Sequence, residues 1–223
     1  GRPLNLMGTV YHGGVVVGLI FTLMFTVIAL SIERYFALRT AFGKGSLTKF
    51  VQEVKAAVKA NDFAKARALC DKQQGSVANV VLASVNTYSE MENTTGIKKS
   101  QKVAKIQQAH EEATQLEMPT LQMNLPIIAT IVTLGTLTAL FGTVLGMIGS
   151  FQALAAGGGG DSLALSMGIS EALVNTASGI ATSWVAVVAY NTYTNKIDKL
   201  TYALDEVGYT IAQTYEANHT EEA

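Results

Sequence analysis

The stretch LALSMGISEALVNTASGIATSWVAVVAY, Leu163–Tyr190, decides the fold. Glu171 is its only ionisable residue before the closing Tyr190. A bilayer core takes about 20 mostly apolar residues, so a run of this length reads as a membrane-spanning helix. Two further runs share the pattern. Gly13–Ile32 carries no charge, and neither does Leu125–Ala156, which exceeds one span and should tilt or protrude. Gly13–Ile32 does not read as a signal peptide. Its flanking charges, Glu33, Arg34 and Arg39, follow the apolar core, whereas a signal peptide carries its positive charge ahead of it.

Composition agrees. Of the 223 residues 15% are charged, below the roughly 25% of a soluble domain. A net charge of −1 argues against nucleic-acid binding, which needs a strongly basic face. The single cysteine, Cys70, excludes an intrachain disulfide and a cysteine-based metal site. His12, His110 and His219 share no ligand spacing, and no metal or cofactor motif is present. No nucleophile stands beside a base, so no enzymatic activity is expected. A chain that opens on Gly1 reads as trimmed or processed.

Lysine and arginine set the expected orientation. Arg34, Arg39, Lys44 and Lys49 follow the first span, Lys196 and Lys199 follow the third, and the Gly157–Asp161 connection has neither residue type. The positive-inside rule then predicts an outside N-terminus and an inside C-terminus. The expected segments are a periplasmic N-terminus 1–12, span one 13–32, a cytoplasmic helical domain 33–124 and span two 125–156. A periplasmic turn 157–162, span three 163–190 and a cytoplasmic C-terminal helix 191–223 complete the chain.

The cytoplasmic parts read as helices. Leu47, Phe50, Val51, Val54 and Val58 recur at helical spacing, and Asn61 or Asp62 can cap the next helix. Ile197, Leu200, Leu204, Val207 and Ile211 form a seam on the tail that suits self-association better than packing within one subunit. The mixed charges of residues 33–124, 13 cationic and 9 anionic, suit a solvated surface. The fold class expected is therefore an all-α membrane protein with three transmembrane helices whose long ends enter a helical cytoplasmic domain.

The first span reads as an ordinary anchor facing lipid; the other two do not. Gly135, Gly142 and Gly149 recur seven apart on span two, and Gly142 with Gly146 makes a small-xxx-small pair. Such faces let helix backbones approach closely. Thr136, Thr143 and Ser150 share the adjoining face. On span three, Glu171, Asn175, Ser178 and Thr182 fall within a narrow arc, with Thr176, Gly179 and Ser183 beside it. Asp161 reads as an N-cap, which sets Glu171 about 15 Å into the helix at 1.5 Å per residue. A carboxylate at that depth costs at least about 2.5 kcal/mol, so it should face a cavity or a partner. A later start of the span would place it near the outer interface instead.

FGTVLGMIGSF (Phe141–Phe151) and GISEALVNTASGIATSWVAVVAYN (Gly168–Asn191) resemble the MotA/TolQ/ExbB proton-channel family, most closely its three-span ExbB and TolQ branch. FAKARALCDKQQGSVANVVLASV (Phe63–Val85) is similar to the family's cytoplasmic helices. The resemblance implies an inner-membrane homopentamer around a central pore that holds an ExbD-like or TolR-like single-span partner. Proton flow would drive motion passed on by a TonB-like or TolA-like protein. Thr143, Glu171 and Thr176 match the pore-lining positions. Thr136, Asn175, Ser178 and Thr182 extend that polar lining, and Gly135, Gly142, Gly146, Gly149 and Gly179 are the expected packing glycines. Thr136 and Ala139 stand where the family commonly has Pro and Gly. That departure leaves proton and sodium both open. The resemblance implies an ExbB-like stator, with a TolQ-like one as the close alternative. A scaffold that uses its glycines only for packing leaves a mid-span Glu unexplained.

Overall fold

The computed structural model describes residues 14–156 and 162–219. Among these it is helical throughout, without a strand. The helices are α1 (Gly14–Phe42), α2 (Leu47–Lys59), α3 (Phe63–Gln73), α4 (Gly75–Asn93), α5 (Lys99–Gln122), α6 (Leu125–Ala156) and α7 (Ser162–Asn218). Three stretches, on α1, α6 and α7, are long and apolar enough to cross a membrane. The expected turn at Gly157–Asp161, the Asp161 cap, and residues 1–13 and 220–223 lie outside the described residues.

The described chain divides into two compact units. The first takes the described residues up to Glu33 together with Asn124–Tyr193. Its helices are apolar on nearly all sides, and Leu134, Leu137, Leu140, Phe141 and Val144 stay exposed. In a bilayer such faces cost nothing, so the contacts that matter are those between small and polar residues. Two polar links join α1 to the rest of this unit: Tyr193 Oη donates to Ser31 O at 2.6 Å, and Asn124 Nδ2 to Glu33 Oε2 at 3.0 Å. Asn124 has a φ of 66°, and the chain breaks at Met123–Asn124, between Pro119 inside α5 and Pro126 in the first turn of α6.

The second unit comprises Arg34–Met123 and the chain from Thr194. Its core gathers Val54, Val58, Val81, Val85, Ile106 and Tyr88 with Leu200, Leu204, Val207, Ile211 and Tyr215 of α7. The α7 seam expected to favour self-association is therefore spent inside the subunit. The second unit's other helices supply its partners: Lys55 of α2 pairs with Glu206 at 2.6 Å, Tyr215 Oη donates to Met91 O of α4, and Thr201 lies 3.9 Å from Met118 Sδ of α5. Asp62, one of the two expected caps, accepts from Lys65 N at 3.0 Å.

Two positions in this unit need glycine. Gly43 (φ 80°) and Gly75 (φ 84°) sit where the α1–α2 and α3–α4 turns press together, and a Cβ on Gly75 would lie 2.6 Å from Ala41 O. Lys44 N donates to Gln73 O at 2.8 Å across the same contact. Arg34 is 1% exposed and donates to Thr120 O at 3.1 Å and Leu121 O at 3.4 Å. It thereby satisfies carbonyls that the end of α5 leaves open.

Candidate functional site in the membrane unit

Helices α6 and α7 meet through their smallest residues. A Cβ on Gly135 would lie 2.6 Å from Ser183 Oγ and 3.1 Å from Gly179 O; one on Gly146 would lie 3.0 Å from Gly168 O. Backbones this close exclude larger side chains and bring flanking hydroxyls into bonding range.

Two hydroxyl pairs result. Thr143 and Thr176 hydrogen-bond to each other through their Oγ atoms. Thr143 Oγ also lies 3.0 Å from Ala139 O and 3.3 Å from Ala172 O, and Thr176 Oγ donates to Ala172 O at 3.2 Å. Thr136 and Ser183 form a second pair at 2.9 Å. The pairs are seven residues apart on both helices, about 10 Å along the axis. Ser150 extends the stripe in the other direction, with Oγ 2.9 Å from Gly146 O and 3.5 Å from Leu165 O. Ser183 and Ser150 thus join the expected set. Their signal in the sequence is the shared seven-residue step, which becomes informative once the two stripes face each other. A threonine hydroxyl both donates and accepts, so paired hydroxyls can pass a hydrogen bond along by rotation.

Glu171 and Asn175 lie elsewhere on α7. They line a cavity of about 500 Å³ with Val16, Gly142, Gly146 and Ser150. The Glu171 carboxylate lies against Gly14 of α1. Asn175 is 1% exposed, and its Oδ1 accepts no hydrogen bond among the described residues. A Cβ on Gly142 would fall 2.7 Å from Val16 Cγ1 and 2.9 Å from the Asn175 carboxamide. The first span is thus more than a lipid-facing anchor. Leu19 and Phe25 are exposed, but Val15 and Val16 line this cavity and Gly14 lies against the Glu171 carboxylate. An unpartnered amide oxygen beside a carboxylate in an apolar surround is a polar site that water or a cation can satisfy.

The remaining expected residues separate. Thr182 is buried and donates to Ser178 O at 2.9 Å, a bond within its own helix. Gly179 abuts Gly135 and Ala139. A Cβ on Gly149 would meet nothing within 4 Å, because Gly149 opens onto the Glu171 cavity instead of packing against a helix.

Outside the membrane unit, His110 is buried with Nδ1 2.9 Å from Ser84 Oγ, its Nε2 unpartnered among the described residues. Burial lowers its pKa below the ordinary 6.5, against the opposing pull of Asp205 and Glu111. Burial, aided by Asp71, pushes the Cys70 thiol up to about 12. Among the described residues no three His, Cys, Asp or Glu side chains form a metal-ligand set.

Residues 74–206, which include both hydroxyl pairs and Glu171, match the MotA/TolQ/ExbB proton channel family. The chain belongs to this family. The Tol-Pal system protein TolQ of Pseudomonas aeruginosa is 29% identical over 143 residues, 63% of this chain and 59% of that protein. The biopolymer transport protein ExbB-like 3 of Synechocystis is 34% identical over 87 residues, 38% of this chain and 41% of that protein. TolQ of Haemophilus influenzae is 32% identical over 84 residues, 38% of this chain and 37% of that protein. The chain spans between about two-fifths and three-fifths of the length of these relatives. A family of proton channels on three membrane-competent helices makes the chain a membrane protein and places it outside the enzyme families.

Proposed function

We propose that the chain is a proton-conducting stator subunit of the ExbB type in a bacterial inner membrane. Five copies surround an ExbD-like single-span partner, with the N-terminus outside and the second unit in the cytoplasm. The motor converts the proton motive force into movement that a TonB-like protein carries to outer-membrane transport. The observation that carries this reading is a half-buried Glu171 and a fully buried Asn175 on one cavity of the membrane unit. A carboxylate held within a membrane costs at least about 2.5 kcal/mol and serves no packing need. The hydroxyl pairs supply a second polar track on the same helix. The exposed apolar faces of α6 are the surfaces offered to adjoining subunits.

The test is proton uptake by liposomes that hold the chain with its single-span partner. Glu171→Gln should abolish uptake while the five-to-partner assembly persists on size analysis. Uptake equal to that of the unaltered complex would sink the reading. A TolQ-like role in envelope constriction is the second reading, favoured by the two relatives named TolQ. Rescue of envelope integrity in cells lacking TolQ, without rescue of outer-membrane uptake in cells lacking ExbB, would select it.

A further inference from the structure

One cationic cavity in the second unit stands apart from the conduction site. On α1, Tyr35, Leu38, Arg39 and Phe42 form an i, i+3, i+4, i+7 stripe that faces Lys196 and Lys199 of α7. The six residues line a cavity of about 390 Å³. Its floor is apolar, with Leu38 3% exposed, and its rim carries three cations. Lys196 Nζ lies 5.7 Å from the centre of the Tyr35 ring, within cation–π range. No carboxylate is among the lining residues, and Arg39 and Lys199 form no ion pair among the described residues. Arg39 and Lys199, from segments 160 positions apart in the chain, repel one another unless an anion joins them.

Position selects the anion. Arg39 is seven residues beyond Ile32 and Lys196 six beyond Tyr190, the last residues of two apolar runs. At 1.5 Å per residue both lie about 10 Å past the hydrocarbon edge, and their long side chains can reach back toward it. That is the zone of lipid headgroups, where each Lys or Arg is drawn to anionic lipid. Tyr35 adds an aromatic ring half exposed at the same level.

We propose that Arg39, Lys196 and Lys199, with the Tyr35 ring and the Leu38 floor, form a binding site for the phosphodiester headgroup of an anionic phospholipid. The headgroup bridges α1 to α7 where both leave the bilayer. The proposal needs the membrane location alone and is independent of ion conduction.

Native mass spectrometry of the full chain, titrated with phosphatidylglycerol or phosphatidylcholine, tests it. Arg39→Gln/Lys199→Gln should cut retained phosphatidylglycerol by roughly tenfold or more, given the known pull of each surface cation on anionic lipid. Lys44→Gln/Lys49→Gln removes the same charge outside the cavity and should leave retention unchanged. Equal losses in the two double variants would mean diffuse attraction and overturn the site. Equal retention of phosphatidylcholine, or displacement of the lipid by inorganic phosphate alone, would overturn it as well. The unaltered chain gives an arm that needs no variant. In nanodiscs containing phosphatidylglycerol, acylation of Lys196 and Lys199 should slow relative to Lys44, compared with phosphatidylcholine discs. Unchanged relative rates would refute the proposal.

Discussion

Replacing Gly179 with alanine should separate α6 from α7 and disable the site without touching a polar side chain. The added Cβ would stand 2.5 Å from Gly135 O and closer still to Ala139 Cβ. Neither is the free end of a flexible chain, so the helices themselves must move. Ordinary contact needs about 3.5 Å or more, so the separation must grow by about 1 Å. The Thr136–Ser183 pair, now 2.9 Å apart, would then pass beyond hydrogen-bond range. The Thr143–Thr176 pair, less than one turn from Gly179 on α7, would stretch as well. Overpacking costs about 1–3 kcal/mol and each interhelical bond in a membrane about 0.6, so the total is about 2–4 kcal/mol. Unfolding of the purified chain in mixed micelles with rising dodecyl sulfate reads this directly, beside proton uptake in liposomes. Gly18→Ala on α1, whose added Cβ would meet nothing within 4 Å, is the reference and should unfold with the unaltered chain. Adding Ala139→Gly to Gly179→Ala should restore part of the loss, because it removes one of the two obstructing groups. Equal unfolding and equal conduction of Gly179→Ala and Gly18→Ala would refute the close approach as the source of the effect.

Three further outcomes follow from the geometry. Thr176→Val keeps the volume and removes the hydroxyl shared with Thr143; a lost bond to a moving charge costs about 1.5–3 kcal/mol, so uptake should drop by about tenfold or more. Unchanged uptake would take the hydroxyl pair out of the pathway. His110 has a lowered pKa in the folded chain, so the unfolded chain binds more protons once pH falls below about 6.5. Stability should therefore be full above that value and decline as pH drops through the window beneath it, and His110→Gln should flatten the slope of denaturant midpoints between pH 7.5 and 5.5. The same slope in both proteins would exclude the imidazole as its source. Cys70 is 2% exposed with its thiol pushed up to about 12, so a maleimide at pH 7.5 should label it only on unfolding of the helices around it. Rapid labelling of the folded chain would show that α3 and α4 open readily.

Much of the fold was legible along the chain. Apolar runs of span length declare themselves because the bilayer demands them, and Asp62 marks the start of α3 as a capping residue does. Span two was expected from Leu125, where α6 begins, but how the chain turns there was not legible: Pro119 stays within α5 and Asn124 adopts a positive φ. The tail seam misled in a specific way. Ile197, Leu200, Leu204, Val207 and Ile211 announce an apolar stripe, but a stripe does not name its partner, and α2, α4 and α5 of the same chain supply it.

The candidate site divides along the same line. Spacing on one helix follows from 100° per residue, so the sequence by itself determined that Thr136, Thr143 and Ser150 share a face, and that Glu171 and Asn175 share another. It also determined that glycines flank those faces. Only the tertiary structure decided which faces meet. Thr143 finds Thr176 and Thr136 finds Ser183, while Glu171 and Asn175 turn toward Gly14, Val16 and Gly142. The physical reason is that helical periodicity constrains angles within an element. Contacts between elements depend on where two backbones come close enough, here at Gly135 and Gly179, for short side chains to touch.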